Sequence, residues 1–356
     1  MRTLGRYIAG EVIKGSLIAV LILLALLNFF TFADELGDLG RGNYSLASIV
    51  QYLMLTSPRN FYELMPSAAL IGSLVTLGAL ANNRELVAMQ AAGLSRLRII
   101  MSVLAGGMIL VFISLGVGEY IAPVAERAAQ TLKATALQKQ IASRTKYGFW
   151  VRDGDVFINI RQIERPESLG DINIFKLSGM QKLHSVTHAE KAVYDGERWR
   201  LDDILESRFQ ANGVVTEQKA YADWSSVLAP NLLNAFVISP ENLSAYELAR
   251  YIAYLKENGQ QSAYVELAFW GRIVNPAVTL VMLLVAAPFV LPVRREVGMG
   301  QRIVVGVIIG LGFYLFDRTF GHLGLIYEMN PIFAASFPTL LALTGALVAI
   351  FRLRLA

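Results

Sequence analysis

The chain has 356 residues, of which 54% are hydrophobic and 17% charged, with a formal net charge of +4. So apolar a composition is that of a polytopic membrane protein and argues against a soluble globular one. There are no cysteines, which excludes disulfides and thiolate metal sites without pointing to a compartment.

Gly15 to Ala33, Leu64 to Ala81, Ile99 to Gly118, Ile273 to Val293 and Asn330 to Phe351 each run without a charge. At about 18 to 22 residues each is long enough to cross the hydrocarbon of a bilayer. A sixth run, Ile303 to Tyr327, contains Asp317 and Arg318. Each central charge costs about 2.5 to 3.5 kcal/mol, and the Ile, Val, Leu and Phe residues between Ile303 and Phe316 return roughly 3 to 6 kcal/mol. A span is expected there if the charges lie off its centre. The predicted fold class is therefore an α-helical polytopic membrane protein with six transmembrane helices.

Basic residues set the orientation. Arg2, Arg6 and Lys14 precede the first run, Arg84, Arg96 and Arg98 separate the second and third, Arg294, Arg295 and Arg302 the fourth and fifth, and Arg352 and Arg354 end the chain. The positive-inside rule then places both termini and these two connections in the cytoplasm. The first run is longer than a signal-peptide apolar core and lacks a small-x-small cleavage site, so it is predicted to be a retained span.

Between the second and third runs, Asn82 to Arg98 is a charged break, NNRELVAMQAAGLSRLR. Asn83 as N-cap, helix-forming composition from Arg84 to Ala92 and Gly93 as C-cap predict a two-turn helix. Leu86, Met89 and Gln90 fall at i, i+3, i+4, with Glu85 on the flank. That face is expected to have nothing of this chain to pack on and to dock into a groove on another protein. The plainer reading is a capped turn between two spans.

From about Arg127 to Tyr264 the chain turns polar, and the orientation puts this insert outside the cytoplasm. Glu119 to Ser143 is predicted to continue the third span as a helix. The periodicity then changes from 3.6 to 2: Phe149 to Val151, Val156 to Ile160, Ile172 to Leu177 and Ala220 to Trp224 read as strands, with hairpin signals at Asp153-Gly154 and Asp195-Gly196. A small antiparallel β domain is expected. Ser244 with Glu247 forms a capping box for a helix that Gly259 ends, and a second helix leads into the fourth span.

No phosphate-binding G-x-x-x-x-G-K-[ST] loop, G-x-S-x-G or H-E-x-x-H occurs, so the chain is not expected to be an enzyme or to bind ATP by that route. His184 and His188 share one strand face but have no acidic ligand set, and read as surface histidines.

With these residues in view, the chain resembles a known family. Glu85-x7-Gly93 looks like the coupling helix of an ABC-transporter permease. Together with WGRIVNPAVTLVMLLVAAPF, VGMGQRIVVGVIIGLGFYLFDRTFGHLG, NPIFAASFPTLL and the LGRYI start, it resembles, across nearly the whole chain, the LptF/LptG family of lipopolysaccharide-export permeases, nearer to the LptG branch. The resemblance implies three parts: spans one to three with coupling helix 84–93 in 1–142, a periplasmic β-jellyroll-like domain in 143–240, and a periplasmic helix with spans four to six in 241–356. It implies a homologous permease partner (LptF), a dimeric ATPase (LptB) that uses the ATP, a single-span partner (LptC), and lipopolysaccharide as cargo at the bacterial inner membrane. No cofactor is expected on this chain. An apolar cavity, basic groups at headgroup depth and a β groove would suit such a substrate.

Carried over by position, Glu85, Leu86 and Met89 match the coupling helix and its docking face, Asp34 an acidic site at the end of the first span, and Lys133 a basic site above the third. Family members carry a lysine near Thr31, and that charge is missing here, which leaves Arg41 or Arg318 to stand in. Two readings of the pair stand side by side: Arg318 snorkels to the headgroups with Asp317 bonded to a neighbouring span, or Arg318 faces the cavity shared with the partner and meets a substrate phosphate while Asp317 fixes the fifth span against a neighbour. Two rival readings are a secondary transporter with inverted repeats, Asp317 binding the coupling ion, and a non-transporting mechanotransmission subunit, which usually has four spans.

Overall fold

The computed structural model describes residues 2–137, 149–165, 167–178, 182–196, 198–210, 213–224, 239–290 and 298–355. The end of the helix predicted through Ser143 and the Arg294-Arg295 connection lie outside the described residues. The chain opens with α1 (Arg2–Glu35) and a 3-10 turn (Leu36–Asp38), then α2 (Leu46–Asn82), the short α3 (Glu85–Ala91) and α4 (Arg96–Gly116). A π-helical turn (Val117–Ile121) joins α4 to α5 (Ala122–Ala136). Six strands follow: β1 (Phe149–Asp153), β2 (Val156–Arg165), β3 (Ser168–Ser178), β4 (Lys182–Tyr194), β5 (Trp199–Gln210) and β6 (Gly213–Trp224). A 3-10 turn (Pro240–Asn242) leads to α6 (Ala245–Glu257), α7 (Ala263–Val290), α8 (Met299–Ile326) and α9 (Pro331–Leu355).

Among the described residues, six helical segments are long and apolar enough to cross a membrane: α1, α2, α4 continued through α5, α7, α8 and α9. At about 1.5 Å per residue α2 is roughly 55 Å long, well beyond the ~30 Å hydrocarbon, so one end of it stands clear. Small residues let the helices cross closely, as packing between helices in lipid requires. A Cβ on Gly72 would overlap the backbone of Ser16 in α1, one on Gly106 would press on Ala9, and one on Gly107 would meet Leu283 of α7. Ile8, Val12, Leu70, Leu74, Leu77, Val103 and Met282 fill the core between them.

The β domain is one antiparallel sheet in the order β1-β2-β3-β4-β5-β6. It is a meander, each strand pairing with its neighbour in sequence; the crossovers between two sheets that define a jelly roll are not among the described strands. Of β4 only the stretch holding His184 and His188 reads as strand in the sequence, and β5 has no counterpart there. Their sequences, KLHSVTHAEKAVY and WRLDDILESRFQ, carry charged residues on the open face and small Ala189 and Ala192 on the other, which masks the period-2 signal. One face of the sheet is a core of Ile158, Ile160, Ile172, Ile174, Leu201 and Ile204, covered by Leu248, Tyr254 and Leu255 of α6 and Val265 of α7. The helices of 239–290 thus serve as the lid of the sheet. The opposite face carries Trp150, stacked on Phe175 with centroids 5.5 Å apart, and Phe157, paired in register with Phe175. His188, also on that face, lies 3.0 Å from Asn173 Oδ1.

The predicted capping box is present: the Ser244 hydroxyl accepts from the Glu247 amide, and the Glu247 carboxylate accepts from the Ser244 amide at 2.9 Å. Gly259, at φ +62°, ends the helix, its amide donating to the Lys256 carbonyl and that of Gln260 to Leu255.

Candidate functional site

Three groups of residues stand out, one at the α3 end of the helices and two at the β-domain end. α3 begins after Arg84, which takes the left-handed conformation (φ 59°) and is the N-cap in place of Asn83. Asn83 instead donates from its side chain to Glu85 at 3.3 Å, and the Tyr7 hydroxyl of α1 donates to the same carboxylate at 3.0 Å. The helix ends as predicted at Gly93 (φ 88°). The Leu94 amide donates to the Met89 carbonyl, the Gly93 amide to Gln90, and Leu94 and Met89 are both buried, the pattern of a Schellman cap. The expected docking face is corrected by this packing. Leu86 is 1% and Met89 7% exposed, both in the chain's own core with Leu80, Leu94 and Ile99. The short connections on either side fold α3 back onto α2 and α4, so its apolar stripe closes the helical core. What it leaves exposed is Arg84, Val87, Ala88 and Ala91, at i, i+3, i+4 and i+7.

At the other end, Lys133 of α5 donates to Glu35 at 2.6 Å, lies 3.8 Å from Asp38, and sits over the Tyr52 ring. Tyr44 also donates to Glu35, at 2.8 Å. Burial first, then the Glu35 carboxylate, pushes the Tyr44 phenol above its usual range, so it remains a donor. The predicted Asp34 is exposed and makes no hydrogen bond or ion pair among the described residues; the buried acid is its neighbour, Glu35. Arg41 is exposed and pairs with Asp38 at 2.6 Å. Thr31 donates to the Leu27 carbonyl of its own helix at 3.0 Å.

The third group is a ring of alternating charge. Arg59 of α2 donates to Glu63 at 2.9 Å; Arg318 of α8 lies 3.9 Å from Glu63 and donates to Glu241 at 3.4 Å; Glu241 lies 4.0 Å from Arg59 and closes the ring. Glu126 of α5, 3% exposed, backs Arg59 at 3.8 Å. Beside it Arg272 of α7 reaches two other elements, donating to the Gly118 carbonyl and to Glu119 of the π turn at 3.0 Å each and to the Glu241 carbonyl at 3.3 Å. A π turn leaves carbonyls without their usual helical partner, and Arg272 occupies one. Tyr62 fills the space over Gly118, where a Cβ would overlap its ring.

Arg59, Tyr62, Glu63, Glu241, Arg272 and Arg318 wall a cavity of about 240 Å³ between α2, α7 and α8. Asp317 and Arg318 both line it, with roles opposite to those expected. Arg318 holds α8 to α2 and to the turn before α6, while Asp317 makes no hydrogen bond or ion pair among the described residues. As neighbours on one helix the two diverge by about 100°; what decides their parts is the arrival of Glu63 and Glu241 from distant elements. Sequence reading missed Glu35, Arg59, Glu63, Glu119, Glu126, Glu241 and Arg272. The signal available was a set of charges inside or beside apolar runs, Arg59 and Glu63 at i, i+4 among them, where an uncompensated charge is costly.

The family described as lipopolysaccharide export system permease LptF/LptG matches residues 6–354. The lipopolysaccharide export system permease protein LptG of Escherichia coli (strain K12) is 34% identical over 339 residues, 94% of this chain and 94% of that one. The protein of the same name from Haemophilus influenzae is 34% identical over 344 residues, 96% of each chain.

Proposed function

This chain belongs to the LptF/LptG family of lipopolysaccharide export permeases, and from that membership we propose that it is the LptG-type permease subunit of an ABC transporter that extracts lipopolysaccharide from the inner membrane toward the outer membrane. Both termini and α3 face the cytoplasm in this reading, and the β domain stands in the periplasm. LptF is the partner permease, an LptB dimer hydrolyses the ATP, and LptC joins the complex; this chain carries no catalytic site of its own.

The observation that carries the reading is uneven burial of the spans. In their most apolar windows α2 is 61% buried, while α1 and α8, which pack on either side of it, are 17% and 11% buried. Ile18, Leu21, Ile22 and Phe29 of α1 and Val304, Ile308, Leu311 and Leu315 of α8 are exposed. A pair of bare helices flanking a covered one suits a cavity completed by a second permease, with acyl chains against it. The ATPase meets the exposed stripe of α3, with Arg84 at its start and Val87 and Ala88 at its centre.

The test is ATP-driven release of lipopolysaccharide from vesicles holding this chain with LptF, LptB and LptC. Release should need ATP and this chain together. Val87→Asp should prevent ATPase capture while the permease pair still assembles. Equal release without this chain, or normal ATPase capture by the Val87→Asp protein, would overturn the reading.

A further inference from the structure

The cavity between α2, α7 and α8 has a charge imbalance. Its three guanidiniums, Arg59, Arg272 and Arg318, meet five carboxylates: Glu63, Glu241 and Asp317 on the wall, Glu119 and Glu126 behind it. Every guanidinium is engaged with a carboxylate, and Asp317 is left over, without a hydrogen bond or ion pair among the described residues. A carboxylate within a span is costly unless a cation answers it. The rest of the wall is mostly apolar, with Leu267, Val278, Phe313, Leu325 and Ala334, and the neutral polar Ser67 and Asn275 and the imidazole of His322 complete it. α8 packs on α2 and α9 and stands largely apart from α7, so the space is a crevice between helices. At about 240 Å³ it is many times the roughly 10–15 Å³ that one water needs.

We propose that this crevice binds the primary ammonium headgroup of a phospholipid, with the ammonium on Asp317, the phosphate beside Arg318 and the first part of the chains along the apolar wall. The excess of carboxylates disfavours a purely anionic lipid and likewise the many phosphates of the exported substrate. It also selects a primary over a quaternary amine. Quaternary ammonium is held by a cage of aromatic faces, and of the four Tyr and Phe rings on this wall, Tyr62, Tyr264, Phe313 and Tyr314, two already carry a guanidinium, Tyr62 that of Arg272 and Tyr314 that of Arg318, each 5.7 Å from the ring centroid. A primary ammonium offers three N–H donors to Asp317. The site is separate from the bare α1 and α8 flanks assigned above to the substrate, and holds whether or not the chain exports lipopolysaccharide.

The test uses the complete transporter in detergent, exposed in turn to phosphatidylethanolamine, its N-methyl derivative, phosphatidylcholine and phosphatidylglycerol of matched chains, with retained lipid counted by native mass spectrometry. Retention should fall in that order of methylation, with phosphatidylglycerol weakest and about tenfold between the first lipid and phosphatidylcholine. Asp317→Asn, nearly isosteric, should erase the preference. Gly321→Leu, filling the crevice from α8, should lower retention of every headgroup. Equal retention of phosphatidylglycerol or phosphatidylcholine by the wild type, or an unchanged preference in Asp317→Asn, would overturn the proposal. Should Asp317→Asn fail to assemble, the wild-type series and Gly321→Leu decide it.

Discussion

The Arg302 guanidinium lies so close to Gly78 that a Cβ on that glycine would overlap it. Arg302 is 8% exposed and donates to Asn82 Oδ1 at 2.9 Å, so the start of α8 is held in a notch near the end of α2, less than two turns before α3. The contact ties the start of α8 to the residues that lead into α3.

Gly78→Val should expel the arginine and cost about 1 to 3 kcal/mol, the usual scale of overpacking. Thermal unfolding of the purified complex measures it. Gly78→Val with Arg302→Ala should cost less than the sum of the two single changes, since the clash needs both partners. Strict additivity would show that the notch does not hold the arginine.

Arg272 answers three acceptors on two other elements and its side chain is 9% exposed. Arg272→Ala should cost about 3 to 5 kcal/mol by leaving Glu119 and the Gly118 carbonyl unanswered in a poorly solvated place. Arg272→Lys should recover little of this, because one ammonium cannot reach acceptors that a planar fork spans. A lysine variant that melts with the wild type would refute the clamp.

Glu35 and Asp34 should separate cleanly. Lys133→Ala removes the ion-pair partner of a buried carboxylate and should lower stability by about 1 to 3 kcal/mol, an effect that should shrink in a Glu35→Gln background. Asp34→Asn should leave the melting temperature within error. If Asp34 touches substrate, only the export rate will move; a drop in melting temperature would mean that its exposed position is not the one that matters.

The β domain has its own acid sensitivity. Arg208 grips Glu206 through two hydrogen bonds, at 2.9 and 3.0 Å, and Lys219 donates to it at 3.0 Å. The Arg208 bonds, opposed by partial burial and reinforced by Lys219, hold the Glu206 carboxyl down to about 2. An unfolded glutamate titrates near 4.3. The lowered folded value means the stabilisation is whole above that pH and is lost as the pH falls toward 2. Urea unfolding followed by tryptophan fluorescence, in a protein that keeps Trp199 and has Trp150, Trp224 and Trp270 changed to Phe, should show a loss between about pH 4 and 2 that Glu206→Gln reduces. An identical pH dependence in both proteins would assign the loss to other carboxylates.

Much of this protein was legible in its sequence because the signals are local. A run of about 20 uncharged apolar residues must satisfy its backbone within itself and so becomes a helix whatever surrounds it. The Ser244–Glu247 box and the Gly93 and Gly259 stops are made by residues three to five apart, so they formed as expected. The tertiary structure alone decided which residues are buried and which charges meet. Leu86 and Met89 have a docking pattern, but α3 folds onto its own spans and turns Arg84 and Val87 outward. Asp34 and Glu35 are equivalent until Lys133, 98 residues from Glu35, approaches one of them. Arg318 finds Glu241 across 77 positions, and Asp317 is left facing the crevice. Burial and ion pairing depend on distances between segments far apart in the chain, and periodicity carries no information about those distances.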